Sequence, residues 1–214
     1  MPTKKIIIFV FILFASFSQF VLAKTNNNKS ELTVEADESL EWFEKEKYYL
    51  AKGNVILKKD GITLKANIIK AHYVSENGEN ILKKIIAKEK VILTKENTKA
   101  TGQYMTYDLK NKIAKISGPF QTFSSPSGYV ESKKIITFDD VRNKAEADGD
   151  VKIILSNKTI IYADNVKANF ESTDKSIKTA VARGNVIIEN KAKDRKSKAD
   201  LGVYNSDDEI IKLT

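Results

Sequence analysis

No cysteine occurs in the chain, and it holds only one histidine, three prolines and nine glycines among 214 residues. Without thiols there is no disulfide framework, no thiol nucleophile and no thiolate metal site. The single histidine, His72, lies in a strand-like run on the face opposite Ile69, Ala71 and Tyr73. It has no partner set for a triad or a metal centre and reads as a surface residue. The glycines are scattered singly through strand-like runs and form no phosphate-binding loop. Asp139-Asp140 and Asp207-Asp208 fall at turns or strand ends, where carboxylates are ordinarily solvated. No catalytic residue, metal site or cofactor is expected. Helical periodicity is also missing, since no 15-residue window carries apolar residues at i, i+3, i+4 and i+7 between caps. The nearest candidate, Glu38 to Tyr48, alternates in a way that suits a strand equally.

What is present is a repeat. Ala51-Lys-Gly-Asn-Val-Ile-Leu57 returns as Ala182-Arg-Gly-Asn-Val-Ile-Ile188. Looser copies begin at Ala147, Ala87 and Ile116, which sets the anchor position at Gly53, Glu89, Gly118, Gly149 and Gly184. Self-similarity at this spacing marks a repeat architecture. A second anchor pairs a small residue with an aromatic seven positions on: Ala36 with Phe43, Ala66 with Tyr73, Ala100 with Tyr107, Ala163 with Phe170. Glu131 with Phe138 keeps the spacing alone. Side chains alternate along a strand, so each copy offers one apolar face. The residues inward by phase are Val55, Leu57, Ile69, Tyr73, Val91, Leu93, Met105, Tyr107, Phe120, Phe138, Val151, Ile153, Phe170 and Val186.

The one long apolar run comes first. Lys4 and Lys5 precede Ile6 to Ala23, which ends Val21-Leu22-Ala23 with small residues at minus three and minus one. Residues 1–23 therefore read as a secretory signal peptide, an uncleaved anchor being the other reading. Residues 24–31 form a polar lead-in, and 32–214 one domain of roughly 14 to 18 strands in an all-β, antiparallel, elongated two-sheet fold. The segment from Pro119 to Gly128 reads as an exposed loop. With seven or eight strands in each sheet, the body would be about 35–40 Å long. Removing Lys4 and Lys5 leaves a net charge of +6. That excess either attracts anionic lipid head groups or other polyanions, or simply solvates outward faces and blunts sheet edges. No nucleic-acid partner is expected, because no aromatic-basic motif is interleaved in the chain.

Behind a leader, five in-phase copies of Ala-x-Gly-Asn-Val-x-apolar, each followed by a small residue and an aromatic, resemble the LptA, or OstA-like, family of periplasmic lipopolysaccharide-transport proteins. The resemblance spans Leu32 to Thr214. It implies a twisted, V-shaped β-jellyroll, open at both ends, whose apolar groove carries lipid A acyl chains between inner and outer membranes. The inward residues above would then bind lipid. The partners implied are lipopolysaccharide, LptC-like and LptD-like jellyroll proteins of the two membranes, and further copies stacked head to tail by strand augmentation. A cleavable leader fits LptA better than its membrane-anchored LptC-like relative, and no C-terminal barrel follows as in LptD. Glu89 departs from the anchor glycine. Two other readings are a structural β-repeat with a closed core, and a polysaccharide-processing enzyme on a β-helix; the latter would need a repeated charged cluster that the chain lacks.

Overall fold

Fifteen strands alternate with short turns in the computed structural model, which describes residues 32–214 apart from 60, 127, 157, 172–176, 191–193, 206, 208 and 209. In chain order they are β1 (Thr33–Glu35), β2 (Ser39–Phe43), β3 (Tyr48–Lys59), β4 (Ile62–Glu76), β5 (Glu79–Lys95), β6 (Thr98–Asp108), β7 (Ile113–Ser117), β8 (Gln121–Ser125), β9 (Gly128–Ser132), β10 (Ile135–Asp139), β11 (Lys144–Leu155), β12 (Thr159–Phe170), β13 (Ile177–Asn190), β14 (Arg195–Asn205) and β15 (Ile210–Leu213). All pairings are antiparallel.

The repeated anchor folds this sheet in two. At Gly53-Asn54, Glu89-Lys90, Gly149-Asp150 and Gly184-Asn185, two successive residues take positive φ. At each of these pairs the register with the neighbouring strands slips, as a β-bulge requires. An extra residue kinks its strand, and four kinks in phase make a crease. Where the chain crosses the crease elsewhere it either passes with one residue or breaks. The breaks separate β1 from β2, β7 from β8 (at Gly118) and β9 from β10. Each crease glycine lies against a polar residue: Gly118 and Gly184 against Gln103 and Asp164 of neighbouring strands, Gly53 and Gly149 against Glu38 and Lys134 in the breaks. A Cβ on Gly149 would stand 2.6 Å from the Cβ of Lys134. Glu89 occupies the same left-handed conformation at φ 64° without being glycine, so the crease geometry survives the substitution. Amide-to-carboxylate bonds tie the crease from outside: Asn54 to Asp37 at 2.9 Å, Asn67 to Glu89 at 3.1 Å and Asn185 to Asp164 at 3.0 Å.

Each long strand thus serves two layers. The first contains β2, β7, β10, β15 and one arm of each long strand; the second contains β1, β8, β9 and the other arms. The hydrogen-bonded path runs through twelve strands in succession. At roughly 4.8 Å per step this gives a body a little over 50 Å long, not 35–40 Å. The shorter expectation assigned each strand to one sheet, whereas a creased strand counts in both.

Other expectations are corrected or resolved here. Glu38 to Tyr48 holds strand β2 and a turn into β3, with no helix. Pro119 to Gly128 is not a loop, since Gln121–Ser125 forms β8 and Gln121 is wholly buried. The leader 1–23 and lead-in 24–31 lie outside the described residues.

Candidate apolar trough

The inward faces of the two layers wall a trough along the crease. Beside the crease, the first layer presents Ala51, Ile69, Ala87, Met105, Ile116, Ile136, Ala147, Val166, Ala182 and Gly202 in register across ten strands. One step out, the second layer presents Val34, Leu57, Leu64, Leu93, Ala100, Phe123, Val130, Ile153, Ile161 and Ile188. That row contains no polar residue. Charges stay on the outer faces, as in the pairs Lys52–Glu41 (3.2 Å), Lys167–Glu146 (3.2 Å) and Lys152–Glu131 (3.7 Å). Such exposed pairs contribute about 0–1 kcal/mol each; they keep charge out of the interior.

The trough is divided at its middle. Phe123 of the second layer and Phe138 of the first approach to 4.8 Å between ring centroids, tilted by 50°. Both pack against the core on either side of them. Toward the crease, Gln121 pairs in register with Ser132, and both are fully buried. Ser132 Oγ donates to the Asp148 carbonyl at 2.6 Å, whereas both amide atoms of Gln121 lack a partner. Beyond the phenylalanines the first layer turns small, with Ala145, Ala168 and Ala180 side by side. They share the inward side with Ile153, Ile161 and Ile188, and all six are only half-buried.

Most of the phase-derived residues reach this interior. Val55, Leu57, Ile69, Val91, Met105, Val151 and Val186 are buried in it, and Leu93, Tyr107, Phe138 and Ile153 pack against its core. Burial raises the Tyr107 hydroxyl above its ordinary pKa, with Asp140 and Asp108 adding to the shift. Tyr73 is buried near the mouth; Phe170, half-buried, shares a side of β12 with Val166 and Ala168. Phe120 does not belong. It is 49% exposed on the outside, because the break at Gly118-Pro119 shifts the phase and turns Gln121 and Phe123 inward instead. Gln103 and Lys134, polar residues in apolar phase, face the crease glycines 118 and 149. Phe123 was missed because its segment carries turn residues. Ile116 opens the loosest copy, and neither Trp42 nor Tyr49 falls on an anchor position.

A family model described as LptA/(LptD N-terminal domain) LPS transport protein matches residues 33–141 and again 129–214. The chain belongs to this family. It is thus a lipopolysaccharide-transport protein of non-enzymatic kind, and the two matches meet at β9 and β10, where the phenylalanine pair divides the trough. No curated protein matches the sequence. Among solved structures, the Pseudomonas aeruginosa protein LptH, titled the LptA homologous periplasmic component of the conserved lipopolysaccharide transport device, is 11% identical. The likeness covers 79% of this chain and 94% of that one at a TM-score of 0.31.

Proposed function

We propose that this family member works in the periplasm, exported by its leader, and that its trough carries the acyl chains of lipopolysaccharide from the inner toward the outer membrane. The carrying observation is the pair of apolar rows that run in register across ten strands, with half-exposed Ala145, Ala168 and Ala180 on one wall. Each methylene taken from water into such a lining gains about 0.8 kcal/mol, which is how a binder without charged contacts holds a lipid tail. A body of about 50 Å handles one segment of a longer route. Among the described residues the sheet is not closed: β1 and β2 form one edge, and β15 with the Arg195 end of β14 forms the other. Unpaired edges of this kind accept another strand. They suit head-to-tail copies and jellyroll domains of LptC-like and LptD-like partners.

Filling the space tests the reading. Ala168→Trp, at a half-buried inward position, is expected to fold and to lose lipopolysaccharide binding by at least about tenfold in a fluorescence displacement assay. Unchanged binding by a folded Ala168→Trp would contradict it and favour a structural repeat. Strand augmentation predicts that mass measured by light scattering rises with concentration; a strict monomer at all concentrations contradicts that part.

A further inference from the structure

The trough opens, at its first three strands, onto an aromatic shelf that a tail-carrying groove does not require. Trp42 of β2, Tyr49 of β3 and Tyr73 of β4 lie on the inward side at the mouth. Trp42 is 57% exposed and Tyr49 36% exposed, while Tyr73 beneath them is 3% exposed. The indole and Tyr49 lie 6.2 Å apart and within 22° of parallel, and Tyr49 meets Tyr73 at 4.9 Å. Hydrogen bonds fix the rings: Trp42 Nε1 donates to the Tyr73 hydroxyl at 2.7 Å, and Asn80 Nδ2 to the Tyr49 hydroxyl at 2.8 Å. Two large rings held nearly parallel and left exposed are costly for a soluble protein unless something covers them.

The polar groups around the shelf select what covers it. Lys47 Nζ lies 5.7 Å from the Tyr73 ring centroid and 3.4 Å from Ser75 Oγ, and among the described residues no ion pair of Lys47 is seen. Both phenolic oxygens accept a hydrogen bond from within the shelf, which leaves their protons to donate elsewhere. The shelf thus offers an ammonium and hydroxyl donors beside flat apolar rings. That combination matches an oxyanion attached to a ring with an apolar face.

We propose that this shelf is a head-group subsite for a phosphorylated saccharide, with the sugar ring on Trp42 and Tyr49 and the phosphate on Lys47 and the Tyr49 hydroxyl. The assignment rests on the reading that acyl chains lie in the trough, which brings an attached phosphosugar out at its mouth. It adds a polar recognition element that the apolar lining cannot supply.

Trp42 is the sole tryptophan of the chain, so its emission reports the shelf directly. The probe is the fully deacylated glucosamine disaccharide bisphosphate of lipopolysaccharide, which has no tails to occupy the trough. Saturable change in Trp42 emission with this probe is expected, weakened about tenfold by Lys47→Ala and abolished with the dephosphorylated disaccharide. Thermal unfolding of Lys47→Ala should match the parent. No emission change at millimolar probe, or equal affinity in Lys47→Ala, overturns the proposal. If intact lipopolysaccharide still displaces an apolar dye from the trough while the shelf stays silent, the subsite fails and the trough reading stands. Intact lipopolysaccharide binding at least tenfold tighter than the probe assigns the ligand to a lipid; equal affinities assign a free phosphosaccharide.

Discussion

Replacing Gly149 by alanine tests the crease. At φ +88° an L side chain is strained by about 1–2 kcal/mol. The new Cβ would also stand 2.6 Å from Lys134 Cβ and 3.1 Å from the Lys134 backbone nitrogen, so a strand must move as well as a side chain. Overpacking of that kind adds about 1–3 kcal/mol. A total of about 2–5 kcal/mol lowers the thermal midpoint by about 4–20 °C for a domain of this size. Glu89→Gly runs the other way. It relieves left-handed strain at φ 64°, against the loss of an exposed 3.1 Å bond from Asn67 and about 0.4–1 kcal/mol of unfolded-chain entropy. The expected outcome is near neutrality. Thr106→Gly, in an ordinary strand position, should cost about 1 kcal/mol. Circular dichroism melts of the three variants decide the matter. Gly149→Ala as stable as the parent, or Glu89→Gly falling as far as Thr106→Gly, would refute the crease.

Further expectations concern the interior and pH. Gln121→Leu places an apolar side chain where both amide atoms lack a partner, and should raise stability by about 1 kcal/mol in urea titration. Ile116→Ala, fully buried on β7, should cost about 2–5 kcal/mol in the same assay. His72 is held below its ordinary pKa by burial, with Lys70 and Lys84 adding to the shift. The unfolded chain then binds the proton more readily, so stability is full above about pH 6.5 and falls as pH drops through the lowered value. His72→Asn should flatten the change in unfolding midpoint between pH 7.5 and 5.5; an unaltered slope would contradict the assignment.

Much of this fold is legible because its rule is local. The Gly-Asn pair at 53–54 and 184–185 announces a kink, and alternation on either side names Val55, Leu57 and Val186 as inward. Two-for-one bulges also explain why polar Gln103 and Lys134 fall in apolar phase, since they sit on the crease. Legibility ends where the crossing strand breaks. Around Gly118-Pro119 the phase restarts, so Phe120 was placed inside and Phe123 overlooked. Turn-forming Ser124, Ser125 and Pro126 concealed a short strand that pairs with the distant Lys99–Thr101 on one side and with its hairpin partner Tyr129–Ser132 on the other. The aromatic shelf was hidden for a related reason. Trp42, Tyr49 and Tyr73 come together only through strand pairing, and no spacing within one strand marks them.

The most direct measurement compares adjacent residues on opposite faces of β10. A photoreactive phenylalanine analogue at position 138 points into the trough, and the same analogue at 137 points outward. In cells making lipopolysaccharide, position 138 is expected to give a lipopolysaccharide-linked band on irradiation and position 137 none. Equal crosslinking at both positions, or crosslinking at 137 alone, would contradict a lipid-carrying interior.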